Sequence, residues 1–286
     1  MSRKSGISWT KSTWNPMVGC SLVSPGCTNC YAMVQAHSIA AQGGKAGKKY
    51  DGLTKIAANG QPIWNGTVRM ADEWAIDQPK RWTDPRLIFV NSMSDWAHEG
   101  LSRDDVFRVL DVMMEADQHT YQLLTKRADR MLELTEAYRA ARGIDRFRHL
   151  WFGVTVEDQR RADERMPLLA QVQAEVRFLS GEPLLGPLDL SGLPEVEWVI
   201  VGGESIDTGR RLAGDRARSF DVAWARALLK YCRERGIAFH FKQLGENPVG
   251  ADRVTPKGDE LEEAPADLQV REYPKTAPRY LLDLAG

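Results

Sequence analysis

The sequence predicts an α/β fold: a partial or complete parallel βα barrel of about six to seven strands, with an N-terminal cysteine loop and a C-terminal wrapping tail. Three observations predict it. From Arg86 onward, short apolar runs alternate with stretches of helical period. Every run is followed directly by polar residues, as at the carboxyl ends of barrel strands. No Gly-x-Gly-x-x-Gly follows the first strand, and the even spacing shows too little sign of two halves for a dinucleotide fold.

The elements follow in order. A first strand lies just ahead of the cysteines, and Tyr31 to Gln42 reads as a helix. Residues 43–60 are rich in Gly and Lys and lack clear periodicity, which predicts an exposed insertion reaching to about residue 80. Leu87-Ile88-Phe89-Val90 is a buried strand. The helix after it starts at Ser102, where Asp105 three residues on makes a near capping box. Val106, Val109, Leu110 and Met113 keep helical spacing. Further strands end at Thr125-Lys126-Arg127, at Thr155-Val156-Glu157, at Ser180-Gly181-Glu182-Pro183 and at Gly202-Gly203-Glu204-Ser205. Residues 220–235 read as a helix stopped by Gly236, and Ile237 to Phe241 as a last strand ending in Lys242-Gln243. The barrel is assigned to residues 1–245. Residues 246–286 are a Pro- and acid-rich extension packed on it, wrapping through Tyr280-Leu281-Leu282.

Composition narrows the function classes. The chain has 286 residues, 43% of them hydrophobic, enough for a sizeable core. Its net charge of −1 provides no global field for nucleic acid or membrane. Neither a signal peptide nor a long apolar run is evident, so a soluble, cytoplasmic protein with no membrane partner is expected. A reducing compartment keeps thiols free and argues against a disulfide framework. Trp9, Trp14, Trp64, Trp74, Trp82 and Trp96 crowd the first third, mostly as buried structural residues.

Three of the four cysteines, Cys20, Cys27 and Cys30, fall within eleven residues of Gly, Ser and Pro-rich loop. Thiolates are soft ligands, and such a loop lets several sulfurs converge on one centre. Three ligands on a four-coordinate metal or a four-iron cluster leave one position open, which catalysis needs and a structural site avoids. A structural zinc knuckle is the alternative, with His37 the nearest fourth ligand. Cys232 shares a helical face with Val222, Ala225 and Leu229 and reads as a buried small hydrophobe.

A three-cysteine loop leading into a βα barrel resembles the radical S-adenosylmethionine superfamily. The usual spacing there is Cys-x3-Cys-x2-Cys, and here the first gap is three residues longer. More closely, Trp14-Asn15-Pro16, Gly19-Cys20, Ser24-Pro25-Gly26-Cys27 and Asn29-Cys30-Tyr31 resemble the phage-type three-cysteine family named after phage gene products thirty-seven and sixty-eight. The strand-end motifs around Asn91-Ser92-Met93-Ser94-Asp95, Lys126-Arg127, Thr155-Val156-Glu157, Gly181-Glu182 and Gly203-Glu204 match that family as well.

The resemblance implies a 4Fe–4S cluster on Cys20, Cys27 and Cys30, with S-adenosylmethionine on the fourth iron and a reductant such as flavodoxin or ferredoxin as partner. A reduced cluster would cleave the sulfonium to a 5′-deoxyadenosyl radical. Ser92, Ser94 and Asp95 then stand where the superfamily holds the methionine ammonium, and hydroxyl and carboxylate acceptors suit a cation. Thr155 and Glu157 stand where ribose hydroxyls are contacted, although Glu157 also suits a helix start. Glu182, Glu204 and Lys126 are the expected catalytic groups. Arg127, Lys242, Arg210 and Arg211 are the expected substrate groups. Together with Arg216 and Arg218, the arginines favour a phosphorylated substrate, a nucleotide or nucleic acid. A zinc-stabilised nucleic-acid-binding barrel without catalysis is the competing function.

Overall fold

The computed structural model describes residues 6–206 and 217–278. Seven strands form one all-parallel sheet, paired in chain order: β1 (Ser12–Trp14), β2 (Leu87–Val90), β3 (Thr120–Thr125), β4 (Leu150–Thr155), β5 (Arg177–Gly181), β6 (Trp198–Gly202) and β7 (Ala238–Gln243). Among the described residues β1 and β7 do not pair with each other, so the sheet curls as a half barrel instead of closing. The predicted fold class is therefore the observed one, including the strand ahead of the cysteines.

Side-chain alternation along the strands divides two cores. On β2, Ile88 and Val90 join the large core shared with the helices, while Leu87 and Phe89 face the concave side. On β6, Val199 and Val201 take the first direction and Trp198 and Ile200 the second. Trp9, Trp151 and Phe178 meet Trp198 there and fill the concavity with aromatic rings, Trp151 and Trp198 packing edge to face at 5.9 Å.

The outer layer holds α3 (Arg103–Glu115), α4 (Ala128–Arg142), α5 (Gln159–Leu169) and α6 (Val222–Arg235). Ser102 Oγ accepts from Asp105 N at 3.1 Å and the Asp105 carboxylate accepts from Ser102 N at 3.3 Å, completing the expected capping box on α3. Gly143 and Gly236 stop α4 and α6 in the left-handed region, at φ 64° and 67°. Residues 184–196 cross from β5 to β6 without a helix.

The insertion between β1 and β2 differs from the expectation for residues 43–60. Helix α1 (Tyr31–Gln42) is followed at once by α2 (Gly44–Tyr50), then by a hairpin of Thr54–Ile56 with Pro62–Trp64. The glycines that hide α2 in the sequence also let it pack. A Cβ on Gly47 would lie 3.1 Å from the carbonyl oxygens of Ile39 and Ala40 on α1, so any larger residue would push the two helices slightly apart. Val18, Met33, Tyr50, Leu53, Trp64 and Met93 close a third small core there.

The C-terminal extension packs on the barrel as expected. Phe241 N donates to Val270 O at 2.7 Å and Glu272 N to Phe239 O at 3.0 Å, so the tail satisfies the open edge of β7. Leu268 enters the main core and Ala277 the aromatic one. The expected contact of Tyr280, Leu281 and Leu282 lies outside the described residues. Among the described residues no helix is long and apolar enough to cross a membrane.

Candidate cofactor cavity at the strand ends

The cysteine loop crosses the carboxyl ends of the strands and is fastened to several of them. Gly19 bridges to Ser94 after β2, and Ser94 Oγ donates to Gly19 O at 2.6 Å. Gly19 has φ +91°, and a Cβ there would lie 2.1 Å from Thr67 O. Residues 25–27 make one 3₁₀ turn, and Cys30 is the N-cap of α1. Gly26 N donates to Glu157 Oε1 at 3.2 Å, after β4. Asn29 Nδ2 donates to Glu204 Oε2 at 2.9 Å, after β6. Arg218 reaches both Pro25 O, at 2.9 Å, and the Glu204 carboxylate.

Cys20, Cys27 and Cys30 all line one cavity of about 200 Å³, together with Trp9, Phe89 and the polar residues that follow β2 to β5. All three thiols are free. Burial pushes the Cys20 thiol up to about 12, helped by the negative charge of Asp95 and opposed by Arg127, whose Nη1 lies 4.0 Å from the sulfur. Burial also raises the Cys30 thiol. Lys126 and the amide donors of the α1 N-terminus oppose that rise. Among the described residues no three His, Cys, Asp or Glu side chains are gathered as a single-ion site.

Asp95 is the hub beneath Cys20. Oδ1 accepts from Thr125 Oγ1 at 2.6 Å and Ala97 N at 3.1 Å, and Oδ2 accepts from Arg127 Nη1 at 2.9 Å and Lys126 N at 3.2 Å. A carboxylate so engaged fixes Arg127 against the loop and is saturated as an acceptor. Arg127 also binds Ser21 Oγ at 2.6 Å and pairs with Glu99. Burial works against the Glu99 charge, but the Arg127 hydrogen bond overrides it and holds that carboxyl at about 2.

The structure brings Ser92, Ser94, Asp95, Lys126, Arg127, Thr155, Glu182 and Lys242 to the cavity wall with the cysteines. Lys126 Nζ donates to Thr155 Oγ1 at 3.3 Å. Glu182 accepts from Trp9 Nε1 and Ser180 Oγ, both at 3.0 Å, and its other oxygen faces Lys242 Nζ at 2.8 Å. Two expected site carboxylates go elsewhere. Glu157 pairs with Arg165 at 2.9 Å and Glu204 with Arg218, so both latch the loop instead of facing the cavity. Burial disfavours each charge, yet the arginines hold both below the usual carboxylate range. His37 is likewise away from the cavity, its Nδ1 3.1 Å from Thr54 Oγ1. Cys232 is fully buried in the main core, as expected. Arg210, Arg211 and Arg216 lie outside the described residues, and Arg218 serves the loop.

Sequence reasoning missed Asn91. It lines the cavity with φ 63°, a conformation non-glycine residues adopt rarely. Its Oδ1 is buried without a hydrogen-bond partner among the described residues, while Nδ2 points at Met17 Sδ at 3.0 Å. An Asn directly after an apolar strand is the only trace of this in the sequence. Gly203 makes room for backbone: a Cβ there would stand 2.1 Å from Leu244 O.

No curated protein and no solved structure matches the chain. Residues 4–270 match the profile of a family described as protein of unknown function (DUF5131). That match takes in the cysteine loop, all seven strands and the first part of the tail, so the chain belongs to the DUF5131 family.

Proposed function

We propose that the protein is a radical S-adenosylmethionine enzyme that works in the cytoplasm with a flavodoxin- or ferredoxin-like reductant. One observation carries this reading: three free cysteines of a single loop line one cavity at the carboxyl ends of a parallel half barrel. A single ion needs all its donors within about 2.3 Å of one point. A 4Fe–4S cubane takes each thiolate on a different iron, so its sulfurs stand further apart. Three free thiols on one cavity wall supply the three protein donors that such a cubane takes. The zinc reading also lacks its expected fourth donor, since His37 is not among the residues that line the cavity.

The donor set fits a cluster. Cys20, Cys27 and Cys30 would hold it, and when bound and reduced it would supply the one electron needed for reductive cleavage of S-adenosylmethionine. The remaining work falls to the chain. Arg127 and Lys126 favour the thiolate forms of Cys20 and Cys30. Trp9 and Phe89 keep the floor dry, which protects a reactive intermediate from water. With Asp95 saturated, Asn91 Oδ1 and Ser92 are the acceptors open to the amino group of the methionine. Lys126 and Lys242 are the cations open to its carboxylate. Glu182 is the wall carboxylate beside Lys242 and remains the candidate proton-handling group.

The test is turnover. Anaerobically reconstituted and reduced protein should cleave S-adenosylmethionine and release 5′-deoxyadenosine, slowly without substrate. Asn91→Ala should weaken cofactor binding with iron content unchanged. A fully loaded cluster that neither binds nor cleaves the cofactor would overturn the reading.

A further inference from the structure

A second, larger hollow adjoins the thiol cavity. It holds about 1320 Å³ and shares Ile7, Tyr31, Ser92 and Lys242 with the cavity, so the two adjoin across these residues. One wall is the insertion, with Lys45, Lys48 and Lys49 on α2 and Arg69 beyond the hairpin. The other comes from β7 and the tail, with Lys242 and Lys257.

Six cations and two carboxylates, Asp72 and Asp259, line this hollow; Lys242 is paired with Glu182 behind the wall and Lys45 with Asp72, which leaves a positive excess in a chain whose net charge is −1. The positive field is therefore local, and it lies on the path to the cysteines. Lys48 and Lys257 are exposed on opposite walls with no carboxylate partner among the described residues. Lys49 is partly buried with a backbone partner, Asn15 O at 3.0 Å. Its desolvation, only partly offset by Asp72, makes an incoming anion favourable there. Trp74, 60% exposed, and Tyr31, 44% exposed, line the same hollow. Arg81 covers one face of Trp74 at 4.5 Å and sets the ring's orientation.

Three features select the ligand. The volume exceeds the roughly 300–1,000 Å³ of ordinary small-molecule pockets. The cations are spread over two walls instead of converging on one phosphate. Exposed rings among them offer stacking faces that only unpaired bases can use. We propose that this groove binds a single strand of nucleic acid through its phosphates and bases, and that the insertion exists to deliver one nucleotide past Tyr31 to the thiol cavity. That the strand is a substrate rests on the enzymatic reading above, whereas its binding to the groove does not.

The experiment is fluorescence anisotropy with a labelled single strand of about 12 nucleotides. It is run on the full chain with and without reconstituted iron, across a salt series and against the matching duplex. Binding should occur in both states, weaken with salt and favour the single strand. Lys48→Ala with Lys257→Ala should weaken it at least tenfold and lower the log–log salt slope by about 1.4, at ~0.7 per lost phosphate contact. Trp74→Ala should weaken it about tenfold with the slope unchanged. All three positions are exposed, and unchanged thermal unfolding confirms that the variants fold. Absence of binding at low salt, a double variant that keeps the parent's affinity and slope, or a preference for duplex each overturns the proposal. Strand binding by protein that loads no iron would support the groove and count only against the enzymatic reading. Cofactor cleavage without strand binding would do the reverse.

Discussion

The concave floor of the half barrel and its mouth are built on the same seven strands, yet they are opposite environments. On the floor Trp151, Phe178 and Trp198 interlock with Trp9, all almost completely buried, and the tail closes over them with Ala277. At the mouth the residues just past the same strands are Asp95, Lys126, Arg127, Thr155 and Glu182, and they surround a cavity of about 200 Å³ with three free thiols. Residues inside a strand fix the fold by packing, and residues one or two positions beyond its end are released from that duty. The mouth is also where charge is spent on local order. Asp95 organises Arg127, and Glu157 and Glu204 hold the cysteine loop. Buried ion pairs of this kind give little net stability but fix geometry.

The largest expected effect separates floor from mouth outright. Trp198→Ala should cost about 3–5 kcal/mol, because it leaves a cavity among rings that cannot collapse fully. Chemical denaturation would measure it, and the folded fraction should still load iron. A loss below about 1 kcal/mol would show that the floor is not the stabilising region.

A smaller effect belongs to the mouth alone and concerns pH. The Cys20 thiol stands at about 12 and the Cys30 thiol is raised as well, so both are protonated in the free protein near neutrality. Each must lose its proton to bind metal, and deprotonation becomes easier as pH rises. Cluster loading should therefore strengthen from about pH 6 to about pH 8, by about tenfold per pH unit for each thiol. Fold stability should not follow that trend, because thiols raised by burial stay protonated in the folded chain and largely so in the unfolded one below about pH 8. Loading that is flat or falls with pH would contradict the assignment of buried, protonated thiols.

The sheet was legible because its signal is redundant: six apolar runs, each ending in polar residues, all point to parallel strands, and a further strand was expected just ahead of the cysteines. The caps of α3 and α6 were legible for the same reason, since Ser102 and Gly236 act through local chemistry. Helix α2 was not, because Gly44 and Gly47 argue against a helix by propensity. The close packing of Gly47 on α1 and the positive φ of Gly44 appear only in three dimensions. The cavity residues were largely legible by position after a strand. The roles of Glu157 and Glu204 were not, since a carboxylate in the sequence does not show whether its partner is a ligand or Gly26 N and Asn29 Nδ2. The groove was hidden too, because its cations come from α2, Arg69, β7 and the tail, which no spacing rule connects.

The central claim is that the mouth holds an iron–sulfur cluster on one cysteine loop. Iron and acid-labile sulfide analysis of anaerobically reconstituted protein tests it most directly, with Cys20→Ala, Cys27→Ala, Cys30→Ala and Cys232→Ala beside the parent. The account predicts about four irons per chain, broad absorbance near about 400 nm that bleaches on reduction, loss of both in the first three variants and retention in Cys232→Ala. One tightly held zinc per chain with no iron, or full iron loading after replacement of any of the three loop cysteines, would contradict it.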